Sequence, residues 1–151
     1  MNNTIALGSD HAGYNYKKII KDLLVKQGIT ALDFGTDSSE SVDYPDYIHP
    51  VADVIKDGKA NLGIIFCGSG NGVAMTANKH PHIRAAIAWN TEIAELARLH
   101  NDANVLAIPA RYVDEKQLID IVNSFIKAVF EGGRHARRVS KITTPDQSLT
   151  C

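Results

Sequence analysis

Residues 62–72 read LGIIFCGSGNG. The run 62–66 is apolar without alternation, which suits a strand covered on both faces, as in a parallel sheet. It breaks into Cys67 and then into three alternating glycines, Gly68, Gly70 and Gly72. A helix is expected to begin within 70–73 and to end near Lys79. Strand, glycine loop and helix in succession form the unit of an open α/β sheet. In such sheets ligands bind beyond the carboxyl ends of the strands.

The same alternation extends in both directions. Residues 4–7 (TIAL) read as a strand and run into Gly8-Ser9-Asp10-His11. Tyr16, Ile19, Ile20, Leu23 and Leu24 follow at helical spacing, and Gly28 closes that helix. Residues 30–34 (TALDF) predict the next strand, 35–44 a polar loop, and Pro45 the start of a helix carrying Tyr47, Val51, Val54 and Ile55 on one face. Downstream, 85–88 predict a short strand, 91–100 a helix and 104–108 a fifth strand. Asp114 then stands as an N-cap before the stripe Leu118, Ile119, Val122, Phe125, Ile126 and Val129. Gly132-Gly133 breaks the chain, and 134–142 predict a last helix packed outside the main body. The pattern predicts a five-stranded parallel sheet with helices on both faces, three layers in all, with right-handed crossovers.

The chain has 151 residues, 44% hydrophobic and 22% charged, so a single domain with a full core is expected. Residues 143–151 are expected to form a flexible tail. A net charge of −1 offers no global attraction to nucleic acid or an anionic membrane, so any basic site must be local. The N-terminal residues lack the basic and apolar regions of a signal peptide. No apolar run approaches the roughly 20 residues that a membrane helix needs. Cys67 and Cys151 do not make a disulfide framework, and Cys151 is expected to fray with the tail. A reducing cytoplasm is therefore the expected location, where Cys67 stays a free thiol.

Several chemistries are excluded at the glycine loop. A phosphate loop of the Walker type needs Gly-Lys-Ser/Thr, and Asn71-Gly72-Val73 lacks the lysine. The dinucleotide fingerprint needs glycine where Val73 stands, and Glu92 is a poor stand-in for its ribose-binding acid. Val73 also occupies the place where a cysteine phosphatase carries arginine. With no C-x-x-C, thioredoxin-type exchange is out. What remains is a thiol beside a backbone that can approach a ligand closely. The N–H groups of Gly68, Gly70 and Gly72 can turn inward as a nest, and the following helix adds its positive end. Together they suit a developing oxyanion and favour sulfur as the anion. Ser69 can donate to the sulfur or to a substrate oxygen. The same residues also suit a small buried cysteine beside a tight turn.

Other polar clusters carry two readings each. Asp10 follows the first strand, either as an N-cap for the helix near Tyr14 or, with His11, as a carboxylate and imidazole beside the Cys67 loop. His100-Asn101-Asp102 ends a helix, where histidine suits the helix dipole and equally suits acid–base work. Arg134 and Arg138 share one helical face beside His135 and Arg137, able to clasp a phosphate or simply to be solvated. His80-Pro81-His82 lacks acidic neighbours at ligand spacing and is expected to be an exposed loop.

Six stretches, GSDHAG (8–13), DYPDY (43–47), FCGSGNG (66–72), ANK (77–79), HNDANVLAIPAR (100–111) and GGRHARRV (132–139), together resemble the ribose-5-phosphate isomerase B family, which also contains galactose-6-phosphate isomerase subunits. The resemblance covers about 5–142. It implies a Rossmann-like α/β/α sandwich and a homodimer, or a dimer of dimers, whose active sites use residues of both subunits. It implies metal-independent, cofactor-free interconversion of ribose 5-phosphate and ribulose 5-phosphate. By resemblance Cys67 is the base; members with glutamate in place of Val73 lack that cysteine. Ser69 retains the hydroxyl of a position that is often threonine. Asp10 and His100 match residues of ring opening and Tyr44 a substrate contact. His11, Arg111, Arg134 and Arg138 match the phosphate-binding set. Asn101 and the amides from Ser69 through Gly70, Asn71 and Gly72 to Val73 match contacts to sugar oxygens and the enediolate. The competing expectations are a six-carbon substrate (allose or galactose 6-phosphate), a metal-dependent isomerase, and a nucleotide-binding regulatory module.

Overall fold

A computed structural model describes residues 3–144. Five strands and six helices follow one another as β1 (Thr4–Ser9), α1 (Tyr14–Lys26), β2 (Thr30–Asp33), α2 (Pro45–Lys56), β3 (Leu62–Cys67), α3 (Asn71–Ala77), β4 (Ala85–Ile87), α4 (Thr91–Asn101), β5 (Val105–Pro109), α5 (Glu115–Lys127) and α6 (Arg134–Val139). Every strand pairing is parallel, and the sheet order is β2-β1-β3-β5-β4. The chain reverses direction across the sheet between β1 and β3. That opens a crevice at their carboxyl ends, where Ser9 pairs with Phe66.

Side chains alternate across the sheet and split the core in two. Ile64 and Phe66 of β3 face α1, α4 and α5, packing with Leu24, Ala97 and Phe125. Ile65 and Cys67 point the other way, toward α2 and α3, among Ile48, Val51, Val73 and Ala77. The result is the three-layer sandwich that the alternating pattern predicts. No described helix is long and apolar enough to cross a membrane.

Sequence signals set most boundaries. Pro45 stands in the first turn of α2. Asp114 caps α5 through a reciprocal pair: its carboxylate accepts from Gln117 N, and the Gln117 side chain accepts from Asp114 N. Gly28 follows α1 at φ 75°, the left-handed conformation a helix stop requires. Differences appear where tertiary contacts intervene. β1 and β3 extend to Ser9 and Cys67 because the parallel ladder continues to their polar ends. α6 stops at Val139, sooner than expected, and is not wholly outside the body, since His135 is buried. The loop 80–82 is half-buried rather than exposed. His80 meets the His49 ring nitrogen at 2.8 Å, and His82 Nε2 lies 2.8 Å from the Ala52 carbonyl. Of the expected tail, Thr143 donates to the Pro81 carbonyl; residues 145–151, Cys151 included, lie outside the described residues.

One feature was not legible in the hydrophobic pattern. Lys17, on α1, is fully buried and pairs with Asp33 at the end of β2; Lys21 reaches the other carboxylate oxygen at 3.2 Å. Burial raises the Asp33 pKa, but the lysines and the Gly35 N–H outweigh it and hold the carboxyl below its ordinary value. A lowered folded pKa gives stability that is present above the unfolded value, near 4, and lost as pH falls through the folded one. Asp33→Asn should lose about 3–5 kcal/mol at pH 7 by stranding the Lys17 ammonium. It should also flatten the acid limb of the stability curve. Urea unfolding across pH measures both, and an unchanged midpoint at pH 7 would contradict the pairing.

Candidate functional site

At the β1–β3 crevice the backbone brings three loops together. Asp10 N donates to the Phe66 carbonyl at 3.2 Å, Ala110 N to the Cys67 carbonyl at 2.9 Å and Arg111 N to the Gly68 carbonyl at 3.1 Å. The ends of β1, β3 and β5 are thereby stitched side by side. A cleft of about 380 Å³ opens over them, lined by Asp10, Tyr44, Cys67, Gly68, Ser69, Gly72, Arg111 and Tyr112. Cys67 is 5% exposed, its stem packed in the α2–α3 core while the residue still lines the cleft. It is neither freely exposed nor sealed away from the arginine.

The glycine loop curls over the sulfur. Gly70 N lies 3.1 Å from Cys67 Sγ, a backbone donor aimed at the thiol. Gly70 can do this because it sits at φ 76°, a left-handed conformation in which a side chain is strained. Ser69 Oγ accepts from Asn71 N at 3.2 Å, which leaves the hydroxyl proton to point elsewhere. α3 starts at Asn71, so its first amides also face this end. Tyr44 lies against Gly72: a Cβ there would stand 2.5 Å from the Tyr44 ring.

Asp10 does not cap α1; the residue at that N-cap is Gly13. The Asp10 carboxylate instead accepts from Ala12 N at 2.9 Å and Gly13 N at 3.1 Å, closing a turn and remaining on the cleft wall. His11 Nδ1 accepts from Val42 N at 3.2 Å, so its Nε2 carries the proton in the neutral ring. Of the expected site residues, the cleft collects Asp10, Tyr44, Cys67, Gly68, Ser69, Gly72 and Arg111. Gly70 and Asn71 frame it and His11 stands next to Asp10.

His100, Asn101, Arg134 and Arg138 are not brought there. α4 runs antiparallel to the strands, so its last residues lie beyond the opposite edge of the sheet. Strands of this length separate the two ends by about 15 Å. At that opposite end His100 stacks on His135, with centroids 4.2 Å apart and planes 7° from parallel. Burial lowers the His135 pKa, reinforced by His100 and Arg134. Asp102, left-handed at φ 46°, anchors the turn by accepting from Arg84 at 2.9 Å and Arg98 at 3.0 Å. Asn101 lines a separate cleft of about 330 Å³ with Arg84, Asn78 and Ile142. Arg134 and Arg138 are exposed on α6.

Two participants escaped the sequence reading. Tyr112 lines the cleft although it is 75% exposed; its signal was its place immediately after Arg111 at the end of β5. Glu131 reaches both stacked histidines, 3.9 Å from His100 Nε2 and 3.6 Å from His135 Nε2, and no local motif marks it.

A thiol under the Gly70 amide at the switch point of a parallel sheet marks a candidate site of an α/β enzyme. Comparison with known proteins narrows this. The ribose/galactose isomerase family profile matches residues 5–142. Ribose-5-phosphate isomerase B of Escherichia coli K12 is 43% identical over 143 residues, 95% of this chain and 96% of its own. The structure of Clostridium thermocellum ribose-5-phosphate isomerase B superposes with a TM-score of 0.94 at 48% identity, covering 97% of this chain and 99% of that one. That of the Mycoplasma genitalium enzyme, with bound ribulose-5-phosphate, gives 0.88 at 44% identity, covering 92% and 93%. The chain belongs to the ribose/galactose isomerase family and is a sugar-phosphate isomerase.

The Gly70 contact can be tested on its own. Gly70→Ala should cost about 1–2 kcal/mol through its left-handed backbone. It should also slow alkylation of Cys67 by iodoacetamide, followed by mass spectrometry at that residue, as the N–H shifts away. Unchanged stability and unchanged labelling would contradict the geometry.

Proposed function

We propose that this chain interconverts ribose 5-phosphate and ribulose 5-phosphate through an enediolate, with Cys67 as the base. The observation that carries this is the Gly70 N–H aimed at Cys67 Sγ in a cleft that also holds Asp10, Ser69 and Arg111. The reaction moves a proton from C2 to C1 and needs little else. A thiolate takes the C2 proton. Negative charge grows on the C1 oxygen, which accepts hydrogen bonds from the amides of the glycine loop. Ser69 relays a proton between O1 and O2, and the thiol returns its proton to C1. Neither metal nor cofactor takes part.

Ring opening and phosphate binding require the groups at the other end of the sheet, and a second copy of the chain supplies them. Met75, Trp89 and Tyr112 support this: they are large, exposed and apolar, and Trp89 and Tyr112 border the site. In the composite site, His100 of the second copy and Asp10 move protons between the ring oxygen and the anomeric hydroxyl. Asn101 of the second copy holds a sugar hydroxyl and Tyr44 flanks the ring. Arg134 and Arg138 of the second copy join Arg111 and His11 around the phosphate, where guanidinium forks match its oxygens. A working thiol of this kind favours a reducing cytoplasm, and the substrate pair places the enzyme in pentose phosphate metabolism.

Cys67→Ala should lose about 10²–10⁴ in turnover, or more, while still binding substrate, because one positioned base is removed. Wild-type activity should persist in excess chelator. Turnover of six-carbon phosphates in the same assay should be lower than that of ribose 5-phosphate. Comparable turnover in Cys67→Ala rules out the thiol as base.

The shared site makes a second prediction. Cys67→Ser and His100→Asn should each be inactive alone. Unfolded and refolded together, they should recover about a quarter of wild-type activity, since half of randomly paired dimers carry one intact site of two. No recovery in a confirmed mixed dimer would show that each site is built within one chain.

A further inference from the structure

Lys17 is 1% exposed and moves no substrate proton. An ammonium is rarely buried so fully unless it is paired. A buried ion pair often gives way to apolar residues without loss of stability, so stability alone does not account for this one. What the pair adds is direction. Its hydrogen bonds close a circuit that runs through Asp10, the carboxylate on the cleft wall.

The Asp10 carboxylate accepts from Gly13 N at 3.1 Å, and the Gly13 carbonyl accepts from Lys17 N at 2.9 Å. The Lys17 ammonium pairs with Asp33, and the same Asp33 oxygen accepts from Gly35 N at 3.0 Å. The Gly35 carbonyl accepts from Ser9 N at 2.8 Å, and Ser9 is joined covalently to Asp10. Lys17 thus holds both sides of the Asp10 turn, one with its backbone and the other with its side chain. The turn has no slack, since a Cβ on Gly13 would stand 2.4 Å from the Phe66 Cβ. The amides of Ala12 and Gly13 both end on Asp10 Oδ1. Oδ2 has no hydrogen-bond partner among the described residues and is the oxygen left to meet a substrate proton.

We propose that Lys17 and Asp33 are positioning residues for ring opening: by closing this circuit they hold the Asp10 carboxylate with Oδ2 turned to the sugar ring. The proposal rests on Asp10 acting in ring opening. It asks nothing of Cys67, whose sulfur is set by the α2–α3 core and by the Gly70 amide. The two steps therefore separate. Ribulose 5-phosphate is an open chain, because its C5 oxygen carries the phosphate and no furanose can close. Its C1 proton exchanges without ring opening: the Cys67 thiolate takes it, the thiol trades it with solvent, and a deuteron returns to C1. Ribose 5-phosphate is a furanose and must be opened first.

The test compares full-length wild type and Lys17→Met in two assays. Methionine suits the buried place of the lysine stem, and Asp33 keeps Lys21 at 3.2 Å and the Gly35 N–H, so no buried charge is stranded. The expected result is a kcat/KM for ribose 5-phosphate lower by roughly 10–10²-fold, as for a misplaced catalytic group. Deuterium entry at C1 of ribulose 5-phosphate in heavy water, read by NMR, should stay within about twofold of wild type, because the thiol step is untouched. Equal loss in both assays would mean general loosening and would overturn the proposal, as would wild-type values in both. If Lys17→Met fails to fold, Lys17→Met combined with Asp33→Asn cuts the circuit at the same link and carries the same expectation. Asp10→Asn is the reference and should show the same split. A split in Asp10→Asn but not in the Lys17 variants defeats the positioning role alone. No split in Asp10→Asn removes Asp10 from ring opening, and the proposal with it.

Discussion

In a sheet whose strands all run one way, every connecting helix must run back the other way. That constraint governs this molecule. The carboxyl ends of β1, β3 and β5 collect Asp10, Cys67 and Arg111 along one edge. The carboxyl end of α4 necessarily delivers His100 and Asn101 to the opposite edge, where α6 follows with Arg134 and Arg138. About 15 Å of sheet stands between the two groups. A single copy cannot fold its own helix ends over its own strand ends without breaking the ladder. In the function proposed above, the second group comes from another copy of the chain.

The edge that carries Cys67 is built mainly from backbone. Asp33, held by Lys17, accepts from Gly35 N at 3.0 Å; the Gly35 carbonyl then accepts from Ser9 N and Thr36 N donates to the Ser9 carbonyl. Ser9 leads into Asp10, whose N–H is tied to Phe66, the residue before Cys67. The buried ion pair thus braces the turn beside the carboxylate as well as the edge of the sheet. Burying an ammonium is unfavourable unless it is well paired, and the pairing here fixes where β2 ends. The sulfur in turn is oriented by packing below and by the Gly70 amide above.

Much of this was legible in the sequence because the signals were local. The unalternated run 62–66 leading into Cys67 marked a strand covered on both faces, glycines marked the loop, and Asp114 marked a capped helix. The misses were contacts between distant segments. Lys17 carries no sign of burial in a helical pattern, because its partner Asp33 lies 16 residues away and across a layer. His80 and His82 looked solvent-exposed until α2 was folded against them. Asp10 offered two roles, and only the register of β1 on β3 showed it facing the cleft rather than capping α1. Family resemblance grouped His100 with Cys67 by function, whereas the topology of one chain separates them.

The most direct measurement of the central claim is a crystal structure of the full-length enzyme with ribulose 5-phosphate. The account predicts Cys67 Sγ at about 3–3.5 Å from C1 or C2 of the sugar. It also predicts that the phosphate lies between Arg134 and Arg138 of the neighbouring copy. A sugar phosphate held entirely by one copy, with the sulfur turned toward protein atoms alone, would contradict it.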